Sequence, residues 1–153
     1  MYYNNQLTSL DVSGCTALTY LDCYSNQIRG VAMTELIESL PDRESASEGD
    51  LWVYDNETPE GNMMTKVQVK IATDKNWNVQ MWDEEEYDWV PYEGEIIPGN
   101  ANGDGVVDAQ DIATVRDYIL GRDPQPFSLE SADLDESGTV DIVDLTRLIE
   151  KLK

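Results

Sequence analysis

Two stretches of this sequence hold the residues best placed to do chemistry. Asn100–Asp111 reads NANGDGVVDAQD and Asp133–Asp144 reads DLDESGTVDIVD. In the first, oxygen-bearing side chains fall at places 1, 3, 5, 9 and 12, as Asn100, Asn102, Asp104, Asp108 and Asp111. Gly105 stands at place 6, where such a loop turns sharply, and Val106 at place 7 offers its backbone carbonyl. Thirty-three residues later the same places hold Asp133, Asp135, Ser137, Asp141 and Asp144, with Gly138 at 6 and Thr139 at 7. This is the loop grammar of an EF-hand, with Asp in place of the usual Glu at 12. Carboxylates so close together repel unless something neutralises them, and the chain already carries a formal charge of −21. A hard divalent cation offsets that repulsion, so the two matches predict two calcium ions. Loop 1 supplies three carboxylates at ligand places and loop 2 four. The charge count predicts tighter binding at loop 2, within the span of about 10⁻⁹ to 10⁻³ M that such loops cover.

The rest of the composition removes other chemistries. Acids number 31 against 10 basic residues, which excludes the clustered Lys and Arg that phosphate backbones and anionic membranes require. No apolar run approaches the roughly 18 to 20 residues of a membrane helix. There is no histidine, so the commonest general base and most zinc and copper sites are missing. Cys15 and Cys23 are too few for a disulfide scaffold. Cys23 reads as a small core residue, and Cys15 lies in the turn SGCT. Glu84, Glu85 and Glu86 could be read as the acid and base of a glycosidase. Adjacent acids on one turn rarely face each other across a substrate, so the chain is read as a non-enzyme.

The elements that position the loops follow from periodicity. Ile112, Val115 and Ile119 form one helical stripe after loop 1, with Gly121 near its end. Leu145, Leu148, Ile149 and Leu152 form another after loop 2. The connector GRDPQPFSLESA is stiffened by Pro124 and Pro126. Pro98 and Gly99 abut loop 1, so each loop is predicted to be a half EF-hand, a loop with its exiting helix only. Val107 and Val140, both at place 8, are predicted to face each other across a short strand contact. Further upstream, LTSLDV (Leu7–Val12) recurs as LTYLDC (Leu18–Cys23) at an offset of 11, inside a 21-residue offset from NQL at Asn5 to NQI at Asn26. The last apolar places of each copy alternate as a short strand would. Such a unit buries its inner face only against stacked neighbours, so the chain reads as the C-terminal part of a longer solenoid. A helix follows through Val31, Leu36, Ile37 and Leu40, ended by Pro41. A strand at Leu51–Asp55, a helix at Thr65–Asp74 and a strand at Trp77–Trp82 imply a crossover with parallel pairing. Asp83–Trp89 reads as an acidic turn, and VPYEGEIIPG as an exit linker.

Over Pro98–Lys153, two loop–helix halves, Asp at place 12 and a proline-bearing connector resemble a type I dockerin. The resemblance implies an all-α, non-catalytic module that folds around two calcium ions and binds a cohesin-like partner. It also implies partner contacts at places 10, 11, 17 and 18 of each repeat. These are Ala109, Gln110, Arg116 and Asp117, then Ile142, Val143, Ile149 and Glu150. The family often repeats these residues and so binds in two orientations. Here the two sets differ, which predicts one preferred face. Residues 4–28 resemble the leucine-rich repeats of bacterial secreted or surface proteins, and the stretch around Lys75–Trp77 resembles the cap that closes such arrays. The fold class expected is therefore α+β in two units. Residues 1–95 form a repeat portion (1–30) with an α/β cap (31–95), and residues 96–153 form the dockerin. The protein is expected to be monomeric, secreted or on the cell surface, and part of a cellulosome-like assembly, with a signal peptide upstream. It is expected neither to bind nucleic acid nor to insert into a membrane. The alternative is that the calcium-bound unit only braces the cap through an internal interface.

Overall fold

The computed structural model describes residues 6–57 and 59–153. Asn5 of the first repeat copy, and Met1, lie outside the described residues. The elements run β1 (Tyr20–Asp22), α1 (Val31–Ser39), β2 (Gly49–Asp55), α2 (Lys66–Asp74), β3 (Trp77–Asp83), β4 (Asp88–Pro91), α3 (Ala109–Ile119), α4 (Leu129–Ala132) and α5 (Ile142–Lys151). One four-stranded sheet has the order β1-β2-β3-β4. Its first three strands are parallel, with Leu21 opposite Leu51 and Leu51 opposite Val79, and β4 returns antiparallel. The expected crossover is therefore present through α2 between β2 and β3, and a second, not expected from the sequence, runs through α1 between β1 and β2.

Alternation decides which face of the sheet is covered. Along β2 every odd residue from Gly49 to Asp55 is buried and every even one is half-exposed. Leu51, Val53, Trp77 and Val79 thus share one core with Met33, Leu36 and Ile37 of α1 and Ala72 of α2. Val67, Val69 and Ile71 could have alternated in a strand. Instead Thr65 closes a capping box with Gln68, and the segment runs as helix, as predicted. In α1, Val31 proves 52% exposed, and Met33 takes the buried place assigned to it. Val31 is the first helical residue, which turns its side chain away from the stripe that follows. Leu40 has extended backbone, as a residue before proline must, and the helix ends there.

Three expectations need correction. The supposed exit linker contains β4, because Val90 pairs with Met81 and Trp89 with Trp82. Its remainder is tied down as well: Glu95 N–H donates to Met64 O at 2.8 Å, and Lys66 N–H to Glu95 O at 3.1 Å. Only the second repeat copy forms a strand, namely β1. In the first copy, Val12 is nevertheless buried in the same core as Cys23, its counterpart. Lastly, loop 2 has an entering helix, the single turn α4, whose Ser128 cap accepts from Ser131 N–H. The S-x-x-S spacing after Phe127 was a weak helix-start signal inside a proline-bearing connector.

A second core gathers Ala101, Val115, Ala132, Val140 and Leu148, with Val107, Ile112, Tyr118, Phe127, Leu134 and Leu145 against it. Residues 98–153 hold α3, α4 and α5 and no strand. Val107 and Val140 both belong to this core but form no strand bridge; the only isolated bridge among the described residues joins Thr65 and Glu95.

Trp77 is the anchor of the larger core. It is 1% exposed, donates its indole N–H to Pro41 O at 2.9 Å, and lies under the Arg43 guanidinium at 5.8 Å from its ring centroid. Trp77→Ala is expected to destabilise the protein by about 3 to 5 kcal/mol, measured as a lowered urea midpoint.

Candidate metal centre

Each acidic loop is built around its place-12 aspartate. Asp111 and Asp144 occupy the third position of the following helix, which turns them back towards the loop. In both cases the aspartate and the helix cap hydrogen-bond reciprocally: Asp108 with Asp111, and Asp141 with Asp144. Asp144 accepts from Leu134 N–H (2.8 Å), Asp135 N–H (3.2 Å) and Asp141 N–H (2.9 Å). Asp111 accepts from Asn102 N–H at 3.1 Å and Asp108 N–H at 2.8 Å. Both are buried, at 0% and 1% exposure for Asp111 and Asp144 respectively. Gly105 and Gly138 at place 6 have φ of 86° and 84°, the left-handed turn the sequence called for.

Loop 2 brings its carboxylates together. Asp133, Asp135 and Asp144 each present an oxygen within 4.8 Å of the others, the only such acidic trio among the described residues. Two ligands on opposite sides of one calcium ion, each at about 2.3 to 2.6 Å, span about that distance. Asp133 also accepts from Ser137 N–H and Gly138 N–H. Ser137 donates to Thr139 O at 3.0 Å, so the place-5 hydroxyl and the place-7 carbonyl are adjacent. The place-9 residue Asp141 is turned to cap α5 through Val143 N–H and stands outside the trio.

Loop 1 uses amides where loop 2 uses acids. Asn102 and Asp104 contact each other, with Asn102 Nδ2 donating to Asp104 Oδ2 at 3.0 Å. Val106 N–H donates to Asp104 Oδ1 at 2.8 Å, and Asp108 caps α3 through Gln110 N–H. Asn100 is 1% exposed, and neither its Oδ1 nor its Nδ2 has a hydrogen-bond partner. An orphaned buried acceptor costs about 1 to 3 kcal/mol. Burial also pushes the Asp111 carboxyl above the usual carboxylate range, against the pull of its two backbone donors, and the Asp104 and Asp108 charges add to the push. A cation would satisfy Asn100 Oδ1 and reverse that push, so these residues fit calcium. The half-exposed Asp135 behaves oppositely: the Ser137 hydroxyl and then its N–H hold it below the usual range.

Loop 1 is also an interface, which the sequence did not reveal. Thr65 Oγ1 donates to Gly103 O at 2.6 Å, and Gln68 Nε2 donates to Asp104 O at 3.2 Å. Gly103 sits against Val67, where a Cβ would lie 2.3 Å from the valine Cβ. The only sequence signal at this interface was the T-x-x-Q box of Thr65–Gln68, and it speaks for a helix start alone.

The remaining singled-out residues are scattered. Ala109, Gln110 and Arg116 are exposed on α3, and Arg116 and Arg122 both pair with Asp117 at 2.9 and 3.1 Å. Ile142, Val143, Ile149 and Glu150 are exposed on α5. Glu84, Glu85 and Glu86 are exposed on the β3–β4 turn.

Comparison with known proteins places the C-terminal unit. The family model for the dockerin type I domain matches residues 98–153. Two solved structures match over the same share of the chain. One is the crystal structure of an Arg-to-Asp variant of CaDoc0917 with CaCohA2 at pH 5.4: 36% identity, 37% of this chain, 95% of that chain, TM-score 0.35. The other is a second such variant with CaCohA2 at pH 5.5: 34% identity, 38% and 97% coverage, TM-score 0.37. No curated protein matches this chain.

Calcium titration by calorimetry is expected to show two binding events. Asp144→Asn should weaken one of them by at least about a hundredfold, more than the loss of an outer-shell partner costs, while leaving the other in place.

Proposed function

From residues 98–153 belonging to the type I dockerin family, we propose that the chain docks in a calcium-dependent way onto a cohesin-like module of another protein. Dockerin domains are non-catalytic docking modules, and nothing in the acidic β3–β4 turn calls for chemistry beyond that. The metals would be held by Asn100, Asn102, Asp104, Val106 O, Asp108 and Asp111 in loop 1. In loop 2 they would be held by Asp133, Asp135, Ser137, Thr139 O, Asp141 and Asp144. Bound calcium supplies the positive charge that lets the loops close. The chain's own contribution is to carry α3 and α5 on those loops at a fixed spacing across the second core.

One observation carries the docking reading. On α5, Leu145 and Leu148 pack inward, while Ile142, Val143, Ile149 and Leu152 remain 62%, 42%, 39% and 38% exposed. An apolar stripe left in water on an ordered helix has the character of an interface centre. The places on α3 that match Ile142, Val143 and Ile149 are Ala109, Gln110 and Arg116, only Ile119 opposite Leu152 in the repeat being apolar, and Gln110 borders a cleft shared with Thr34 and Glu38 of α1. One preferred face, centred on α5, follows. The two separate cores support a division into a repeat-and-cap unit (1–95) and a dockerin (96–153). The paired burial of Val12 and Cys23 supports a leucine-rich-repeat origin for the first. Among the described residues no helix is long and apolar enough to cross a membrane. A monomeric protein, secreted or at the cell surface and serving a bacterial, cellulosome-like assembly, is the setting we propose.

A second reading is favoured by the loop 1 contacts. Thr65, Gln68 and Val67 hold loop 1 against the cap, so the dockerin would also brace the unit that carries it. The two readings use different faces and coexist.

Pull-down against a cohesin panel in calcium should recover a partner, and chelator should abolish recovery. Ile142→Ala is expected to weaken that complex by about 2 kcal/mol, and Gln110→Ala by well under 1. The bracing contact has its own test. Gly103→Ala adds a Cβ into Val67 at a backbone φ of 73°, so it should separate the units and raise the radius of gyration in small-angle scattering. An unchanged profile would count against the brace.

A further inference from the structure

The sheet has a second face, opposite to α1 and α2, that the docking reading does not use. Strand alternation puts Tyr20 and Asp22 of β1, Asp50 and Trp52 of β2, and Gln80 and Trp82 of β3 on it. Trp89 of β4 joins them opposite Trp82. Five rings form one connected cluster there. Trp52 and Trp89 stack at 4.0 Å and 14°. Tyr20 meets Trp52 edge-on at 4.8 Å, Tyr24 lies 5.4 Å from Trp89, and Trp82 lies 5.7 Å from Trp89. Three of the chain's four tryptophans are in this group, each half-exposed, and Tyr20 is 42% exposed.

The polar atoms of the cluster say what it can recognise. Trp52 Nε1 donates to Gln80 Oε1 at 3.1 Å, and Trp82 Nε1 donates to Glu57 Oε2 at 3.2 Å. These two bonds fix the Trp52 and Trp82 rings; Trp52 and Trp89 turn one π face to each other, and all three indoles remain half-exposed. The charged groups named on this face are all carboxylates. Asp22 and Asp50 lie between the rings along β1 and β2, and Glu57 sits at the edge beside Trp82. None of the three forms an ion pair among the described residues, whose ion pairs involve Lys66, Lys70, Arg116 and Arg122 elsewhere. A neutral sugar would leave these carboxylates without a counter-charge, on a chain whose formal net charge is −21. A cation needs only π faces and carboxylates, and this surface offers both. We propose that this aromatic, carboxylate-edged sheet face docks a lysine- or arginine-bearing segment of another protein. The cationic head lies over the Trp52–Trp89 pair, between the carboxylates of Asp22 and Asp50.

The site is distinct from the calcium loops and from α5, so its test is independent of dockerin function. The full chain, in calcium-containing buffer, is titrated with a non-aromatic peptide of Gly- and Ser-spaced arginines, followed by tryptophan fluorescence and calorimetry. An acidic peptide of equal length and cellohexaose serve as the other two probes. The basic peptide is expected to bind, with affinity falling as salt rises. Trp89→Ala should weaken it about tenfold, the size of a desolvated cation–π contact. Asp22→Asn with Asp50→Asn should weaken it comparably. Glu35→Gln with Glu38→Gln, on the far side of the sheet, should leave it unchanged. Trp89→Phe keeps a ring at the site and should retain most of the affinity, so a fold lost in the alanine variant does not decide the matter. The proposal is overturned if the Glu35/Glu38 pair matters as much as Asp22/Asp50. It is also overturned if removing the Trp89 ring changes nothing, or if cellohexaose binds and the basic peptide does not.

Discussion

Ionised carboxylates gathered in a partly buried space must each be met by a donor or a positive charge, or they will not stay ionised there. The C-terminal unit is arranged around that constraint. Asp111 and Asp144 reach backwards from the first turns of α3 and α5, and each is held by backbone N–H groups of its own loop. Those donors fix where the oxygens point but do not remove the cost, since Asp111 is still pushed towards its neutral form. Asn100 beside it has an acceptor with nothing to accept. A divalent ion would answer both deficits at once. It also explains why two helices as short as α3 and α5 can share a core of so few large residues.

Loop 1 has a second set of obligations. Gln68 is 1% exposed: its Oε1 accepts from Thr65 N–H, and its two Nε2 hydrogens are shared among Gly30 O, Thr34 Oγ1 and Asp104 O. One buried amide therefore ties α1, α2 and the first acidic loop together. A buried polar hub of this kind is costly if any partner leaves. Ordering of loop 1 and its seating against α1 and α2 are thereby linked, while Ile142 and Val143 of α5, on the other repeat, remain exposed. The lower charge of loop 1, with Asn at places 1 and 3, belongs to the loop that is already supported from outside.

Much of this was legible in the chain, and the reasons are physical. The loops could be read because metal coordination forces oxygen at fixed intervals and glycine at the turn, whatever surrounds them. The α2 segment could be read in spite of its alternating valines, because its neighbours had to be strands. What stayed hidden depends on contacts across sequence distance. β4 is a short edge strand containing Pro91, and only its pairing with Met81 and Trp82 makes it a strand. The one-turn helix α4 has no periodicity to detect. The approach of Val67 to Gly103 joins residues that share no pattern, and the gathering of Tyr20, Trp52, Trp82 and Trp89 follows from sheet order rather than from any local motif.

The chain thus combines a sheet-based unit, closed on one face by two helices, with a helical unit whose first acidic loop rests against those helices. Thermal unfolding of the intact chain, followed by far-ultraviolet circular dichroism in calcium and in EDTA, addresses the founding claim most directly. Chelation is predicted to remove a substantial part of the helical signal and lower the melting temperature, with both restored when calcium returns. Identical spectra and melting curves in the two buffers would contradict the claim that a divalent ion holds these loops together.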